Sequence, residues 1–107
     1  MAYVYILRCR DGSYYVGSTR DLESRLYQHR TGIGAEYTKR RRPLELVFAY
    51  ELESVADTFA LEKRIQGWSR AKREALIRGD WELLPTLARK DFTHRDANPW
   101  HPRPGEH

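Results

Sequence analysis

The chain has 107 residues, the size of one domain, and its 40% hydrophobic content supports one modest core. Nineteen Lys and Arg against fifteen Asp and Glu leave a net charge of +4, and the sequence pI is about 9.4. One cysteine excludes a disulfide framework and a cysteine-based zinc site, and an N-terminal apolar run broken by Arg8 and Arg10 fits neither a signal peptide nor a membrane span, so a cytoplasmic location is the expectation.

Residues 1–78 carry all of the basic excess. A pI above roughly 9 with clustered Lys and Arg is the electrostatic footprint of a nucleic-acid binder. Residues 2–9 read as a strand, aromatic and β-branched, with Cys9 as a small buried side chain within it. Asp11-Gly12 is a hairpin-turn dipeptide, and residues 13–17 read as the returning strand. Alternation puts Tyr3 and Tyr5 on one face and sends Tyr14 and Tyr15 to opposite faces.

Asp21 is an N-cap for a helix over about 22–31, and Gly32 is its stop. Leu22 and Leu26 mark the buried stripe; Arg25 and His29 fall beside it and, at i and i+4, beside each other. Residues 32–43 read as a loop containing the run Lys39-Arg40-Arg41-Arg42, and 44–52 as a third strand. Ser54 and Asp57 have capping-box spacing for a helix running to about Gly67, with Val55, Phe59, Leu61, Ile65 and Trp68 as its apolar arc. Ser69 caps a short basic helix over 70–78, ended by Gly79; Asp80 starts another through Leu87. From Asp91 onward three prolines and three histidines with little apolar periodicity read as an extended tail, so the expected organisation is a domain over 1–90 and a tail over 91–107.

Glu62 falls inside the apolar arc of its helix. A carboxylate there costs free energy unless it is paired or binds a metal. A salt bridge to a neighbouring Arg or Lys is one reading. The other is a hard divalent ion such as magnesium, with manganese as a substitute, which needs only one or two carboxylates. Arg25 is either a solvated helix residue or a clamp on a phosphate. His29 is either a surface histidine or a proton shuttle facing the hairpin. The run Lys39, Arg40, Arg41 and Arg42, with Arg20, Lys63, Arg70, Lys72 and Arg73, offers cations for backbone phosphates, which position a nucleic acid without reading its sequence.

These residues together resemble the GIY-YIG nuclease superfamily. Tyr3-Val4-Tyr5 stands where the first motif would be, Tyr15-Val16-Gly17 where the second would be, and Leu22 to His29 looks like the family's first helix. Ala35-Glu36-Tyr37-Thr38-Lys39 and Pro43-Leu44-Glu45-Leu46-Val47 look like its small single-domain bacterial branch. The resemblance covers about residues 2–78. It implies an α+β fold, a three-stranded antiparallel sheet flanked by helices, and phosphodiester hydrolysis in DNA or RNA assisted by one divalent metal. Carried over, Tyr5 would be the general base or its partner, Tyr15 would position the attacking water, Arg25 would stabilise the phosphate, His29 would assist proton transfer and Glu62 would hold the metal. Tyr3 replaces the usual glycine, and valine replaces isoleucine in both motifs. Many active members carry an Asn downstream of the metal Glu, whereas the only Asn here is Asn98. Either another group replaces it or cleavage is weakened or absent. The leading expectation is thus a metal-dependent endonuclease of little sequence preference. The rivals are a nucleic-acid-binding module without cleavage and an interaction domain whose basic face meets an acidic protein. No membrane contact and no obligate protein partner are expected.

Overall fold

A computed structural model describes residues 1–80 and residue 82. Three antiparallel strands, β1 (Ala2–Arg8), β2 (Tyr14–Thr19) and β3 (Glu45–Leu52), form one sheet in the order β2-β1-β3. Helices α1 (Leu22–Thr31) and α2 (Glu36–Lys39) lie between β2 and β3; α3 (Val55–Gln66) and α4 (Arg70–Ile77) follow β3. The fold is α+β, as expected. No helix among the described residues is long and apolar enough to cross a membrane.

Alternation along the strands makes two cores, one per face. Val4, Ile6, Val16, Phe48, Tyr50 and Leu52 meet Leu61 and Ile65 of α3 and Leu76 of α4. On the other face Tyr5, Leu7 and Ala49 meet Leu22 and Leu26 of α1. Tyr14 packs against the first cluster and Tyr15 against the second, the expected opposition. The caps also form as read: Asp21 accepts from the Ser24 amide, Ser54 from Asp57 and Ser69 from Lys72. Gly32 closes α1 in the left-handed region at φ 87°.

Four expectations are corrected. β1 stops at Arg8; Cys9 is buried beside the hairpin turn, its amide bonded to the Ser13 carbonyl and its carbonyl accepting from Gly12. β2 continues past Gly17 to Thr19, because Tyr3 of β1 pairs with Thr19. The expected loop 32–43 contains α2, whose N-cap Ala35 offers no side-chain acceptor and so no capping signal; Glu36 steadies it through ion pairs to Lys39 and Arg40. On α3, Val55 and Phe59 are 42% and 55% exposed, and the Lys63 ammonium covers the Phe59 ring. The buried face is Thr58, Leu61, Glu62 and Ile65, the i, i+3, i+4, i+7 set that a sheet can cover. Glu62 therefore sits squarely on the packed face. Apart from Asp80 and Glu82, the helix expected over 80–87 lies outside the described residues, as does the whole tail over 91–107.

Candidate active site

The candidate site residues gather along β2, the outer edge of the sheet, and reach it from both faces. Register explains how. Tyr5 pairs with Gly17 across the β1–β2 ladder. A Cβ on Gly17 would lie 2.6 Å from the Tyr5 hydroxyl and 3.0 Å from the Tyr15 ring. Glycine lets the Tyr5 ring lie across the neighbouring strand.

From α1, His29 meets that phenol: Tyr5 Oη is 2.8 Å from His29 Nε2. On its other side His29 Nδ1 is 2.8 Å from Thr38 Oγ1 of α2, and the Thr38 hydroxyl donates to the Ala35 carbonyl at 3.0 Å. Thr38 has one proton and gives it to a carbonyl, so it accepts from His29 Nδ1–H. Nε2 is then unprotonated and accepts the Tyr5 proton. Tyr5, His29 and Thr38 are each at most 2% exposed. Gly34 makes room for the ring, since a Cβ there would lie 2.6 Å from His29 Nδ1.

Tyr15 stands edge-on to His29, ring centroids 5.2 Å apart. Arg25, one turn before His29, acts electrostatically on all three rings. Burial and then Tyr15 push the Tyr5 phenol well above its ordinary value; Arg25 pulls it down and Glu62 adds a further push up. Burial and then Glu62 raise Tyr15, against Arg25. Burial and then the Arg25 charge hold His29 below the usual imidazole value, so it stays neutral. Both Arg25 and Glu62 are felt at Tyr5 and at Tyr15, so the five groups share one electrostatic neighbourhood although they come from opposite sides of the sheet.

Glu62 approaches from α3 and is 9% exposed. Ser18 Oγ of β2 donates to its Oε1 at 2.5 Å. Gln66 Nε2 donates to its Oε2 at 2.7 Å and to the Val16 carbonyl at 3.2 Å. None of the ion pairs among the described residues involves Glu62. Its charge is thus held by neutral donors, with lone pairs to spare. No group of three or more His, Cys, Asp or Glu converges among the described residues. What the site offers a cation is one fixed carboxylate, a donor set that suits magnesium, which keeps most of its waters, rather than a full protein cage.

The model of the GIY-YIG catalytic domain matches residues 1–75. The chain belongs to the GIY-YIG family. It is 41% identical over 75 residues to the UPF0213 protein SSP2268 of Staphylococcus saprophyticus, spanning 70% of this chain and 92% of that one. It is also 41% identical over 77 residues to the UPF0213 protein VNG_2274C of Halobacterium salinarum, spanning 72% of this chain and all of that one. The solution structure of the protein EF2693 from E. faecalis is 35% identical, with a TM-score of 0.51 and coverage of 70% of this chain and 80% of that one.

In this GIY-YIG domain the basic residues divide by their partners. Arg41 is bound to Asp11 and to the Tyr37 carbonyl, and its guanidinium lies 3.8 Å from the Tyr37 ring centroid. Arg42 donates to the carbonyls of Lys39 and Arg30. These two tie the loop down. Lys39 and Arg40 share Glu36 at longer range and remain exposed. Arg20 is exposed at the end of β2; Lys63 lies over Phe59, Lys72 over Trp68 and Arg70 over Tyr14. Arg73 is fixed to the last carbonyls of α3. Sequence reasoning missed Ser18, Gly34, Thr38 and Gln66. Gln66 was within reach of it: a carboxamide one turn after a buried Glu is an i, i+4 partner. Nothing local marks Thr38 or Gly34, which touch His29 only through the fold.

Proposed function

We propose that this chain is a metal-dependent endonuclease that hydrolyses phosphodiester bonds in DNA or RNA with little sequence preference. The observation that carries the reading is the oriented chain Tyr5–His29–Thr38, placed beside Arg25 and across β2 from Glu62. Tyr5 takes a proton from the attacking water as it passes its own to His29 Nε2. A phenol is a poor base at neutral pH, and burial makes free tyrosinate dearer still. The concerted hand-off avoids it, because the proton ends on an imidazole whose Nε2 is kept open by Thr38. Tyr15 orients the water, and Arg25 holds the phosphate where charge develops. Glu62, fixed by Ser18 and Gln66, is the protein ligand for a divalent cation, which when bound supplies positive charge at the scissile phosphate. From one turn downstream the Gln66 amide locks that carboxylate. Incubating the protein with labelled duplex, single-stranded and branched substrates, with magnesium or manganese and with chelator, tests the reading. Cleavage that survives chelation, or none on any substrate, would refute it.

The open Nε2 has a pH consequence. Since burial and Arg25 lower the imidazole value, protonation of His29 sets in below the usual histidine range near 6.5. The rate should hold through that range and fall only at lower pH; an acid limb centred above 6.5 would contradict this role for His29.

Lys39 and Arg40 are the loop cations left for backbone phosphates. Changing both to Gln should weaken binding similarly for all sequences. The slope of log affinity against log salt should flatten by about 0.7 to 0.9 for each phosphate no longer neutralised. Weaker binding confined to one base sequence would mean that the loop reads bases.

A further inference from the structure

Beside the catalytic cluster, the edge of β2 opens into a cleft of about 240 Å³ lined by Tyr14, Tyr15, Val16, Tyr37, Gln66 and Arg73. That is smaller than the roughly 300–1,000 Å³ of a pocket for a drug-sized ligand, so it suits a single ring system. Three tyrosine rings supply its walls, and each is held in place. The Tyr37 ring has Arg41 on it and lies 6.1 Å from Tyr15, centroid to centroid. Tyr14 donates its hydroxyl to Glu74 and has the Arg70 guanidinium 4.6 Å from its ring centroid. Tyr37 is 38% exposed despite its bulk.

The polar groups are equally specific. Gln66 Nε2 donates to two acceptors, Glu62 and the Val16 carbonyl, which fixes the amide's orientation and leaves Oε1 as an acceptor. Arg73 donates Nε to the Ile65 carbonyl at 3.1 Å and Nη2 to the Gln66 carbonyl at 2.6 Å. No carboxylate among the described residues pairs with Arg73. The cleft thus combines flat π surfaces, one fixed acceptor and one oriented cation that no carboxylate among the described residues neutralises. A planar base carrying N–H donors and linked to a phosphate matches all three.

We propose that this cleft is a stacking subsite for one unpaired nucleotide next to the scissile phosphate. Its base lies against the tyrosine rings, an N–H of the base meets Gln66 Oε1, and Arg73 holds its phosphate. The proposal rests on the nuclease reading above and narrows its substrate to strands with unpaired bases, because a base inside a duplex has its faces covered by its neighbours.

The test uses short single-stranded DNA and RNA and their duplexes, with 2-aminopurine placed at successive positions and chelator present so that nothing is cut. On the wild-type protein, fluorescence should be quenched at one or two positions of the single strand and at none in the duplex. Tyr37→Leu keeps bulk but removes the ring. It should abolish the quench and weaken single-strand binding about 5- to 150-fold, equivalent to the ~1–3 kcal/mol of one base–aromatic stack, with duplex affinity little changed. Arg73→Gln should flatten the single-strand salt slope by about 0.7, the share of one neutralised phosphate. Circular dichroism and melting curves establish that both variants fold, and the wild-type quench needs no variant at all. Quenching at no position, or equal weakening for single strand and duplex with Tyr37→Leu, overturns the proposal. With metal restored, wild-type cleavage of duplex as fast as of single strand overturns it while leaving the nuclease reading intact. Position-specific quenching without cleavage of any substrate would refute the nuclease reading and still support an unpaired base in the cleft.

Discussion

Arg25→Ala is expected to slow cleavage by about 10²–10³-fold, the cost of removing one preorganised donor to a transition-state oxyanion, while substrate affinity falls only a few-fold. The asymmetry follows from placement. Arg25 sits one turn before His29 on α1, and its charge is felt at Tyr5, Tyr15 and His29 together. A phosphate held among those groups gains negative charge as water attacks, so the guanidinium contributes most when the barrier is crossed. In the proposed reading, ground-state affinity comes instead from the exposed cations, Lys39 and Arg40 among them. Arg25→Lys should restore only part of the rate, because an ammonium is a point charge and cannot grip two phosphate oxygens as a fork does. The Ala variant carries a second readout. Arg25 helps hold His29 below its ordinary value, so its removal should move the acid limb of the residual rate upward in pH. Single-turnover rates measured against pH give both numbers. A rate within a few-fold of wild type and an unmoved limb would take Arg25 out of the transition state and away from His29.

What the sequence made legible was whatever depends on near neighbours. Period-two alternation placed Tyr3 with Tyr5 and opposed Tyr14 to Tyr15; the caps Asp21, Ser54 and Ser69 announced three helices; the four-residue step from Arg25 to His29 put them on one helix face. Glu62 stood out because a carboxylate broke an apolar arc. The details that turn those residues into a site depend on distant ones. Thr38 fixes the His29 tautomer only because α2 packs back against α1, and α2 itself gave no capping signal. Val55 and Phe59 matched the apolar pattern, yet a sheet covers only one stripe of α3, and they fall outside it. The run Lys39 to Arg42 looked like a uniform basic patch, whereas Arg41 and Arg42 each have acceptors from other parts of the chain. Arg73 looked like one more surface cation; its fixed orientation comes from the end of α3.

Glu62→Gln is expected to abolish detectable cleavage, leave nucleic-acid affinity nearly unchanged and leave thermal stability equal or higher. The stability half separates function from structure. The carboxylate is 9% exposed and, among the described residues, is held by a hydroxyl and an amide and by no cation. Burying a carboxylate costs desolvation, so its removal need not cost stability when its hydrogen bonds are kept. The substitution keeps the shape and both hydrogen-bond partners. With Oε1 of the new amide toward Gln66, its NH₂ faces Ser18, whose hydroxyl can rotate to accept, while Gln66 keeps its bond to Val16. Only the charge goes, and with it the group that the proposed reading assigns to a hard divalent ion. Titration with manganese, followed by the metal's paramagnetic signal, should show one site in the wild type that the variant lacks. The melting curve then decides between the two readings of this residue. A midpoint lowered by several degrees would make Glu62 a structural hydrogen-bond partner; an unchanged or raised midpoint, with cleavage and manganese binding gone, is what a carboxylate kept for its charge requires.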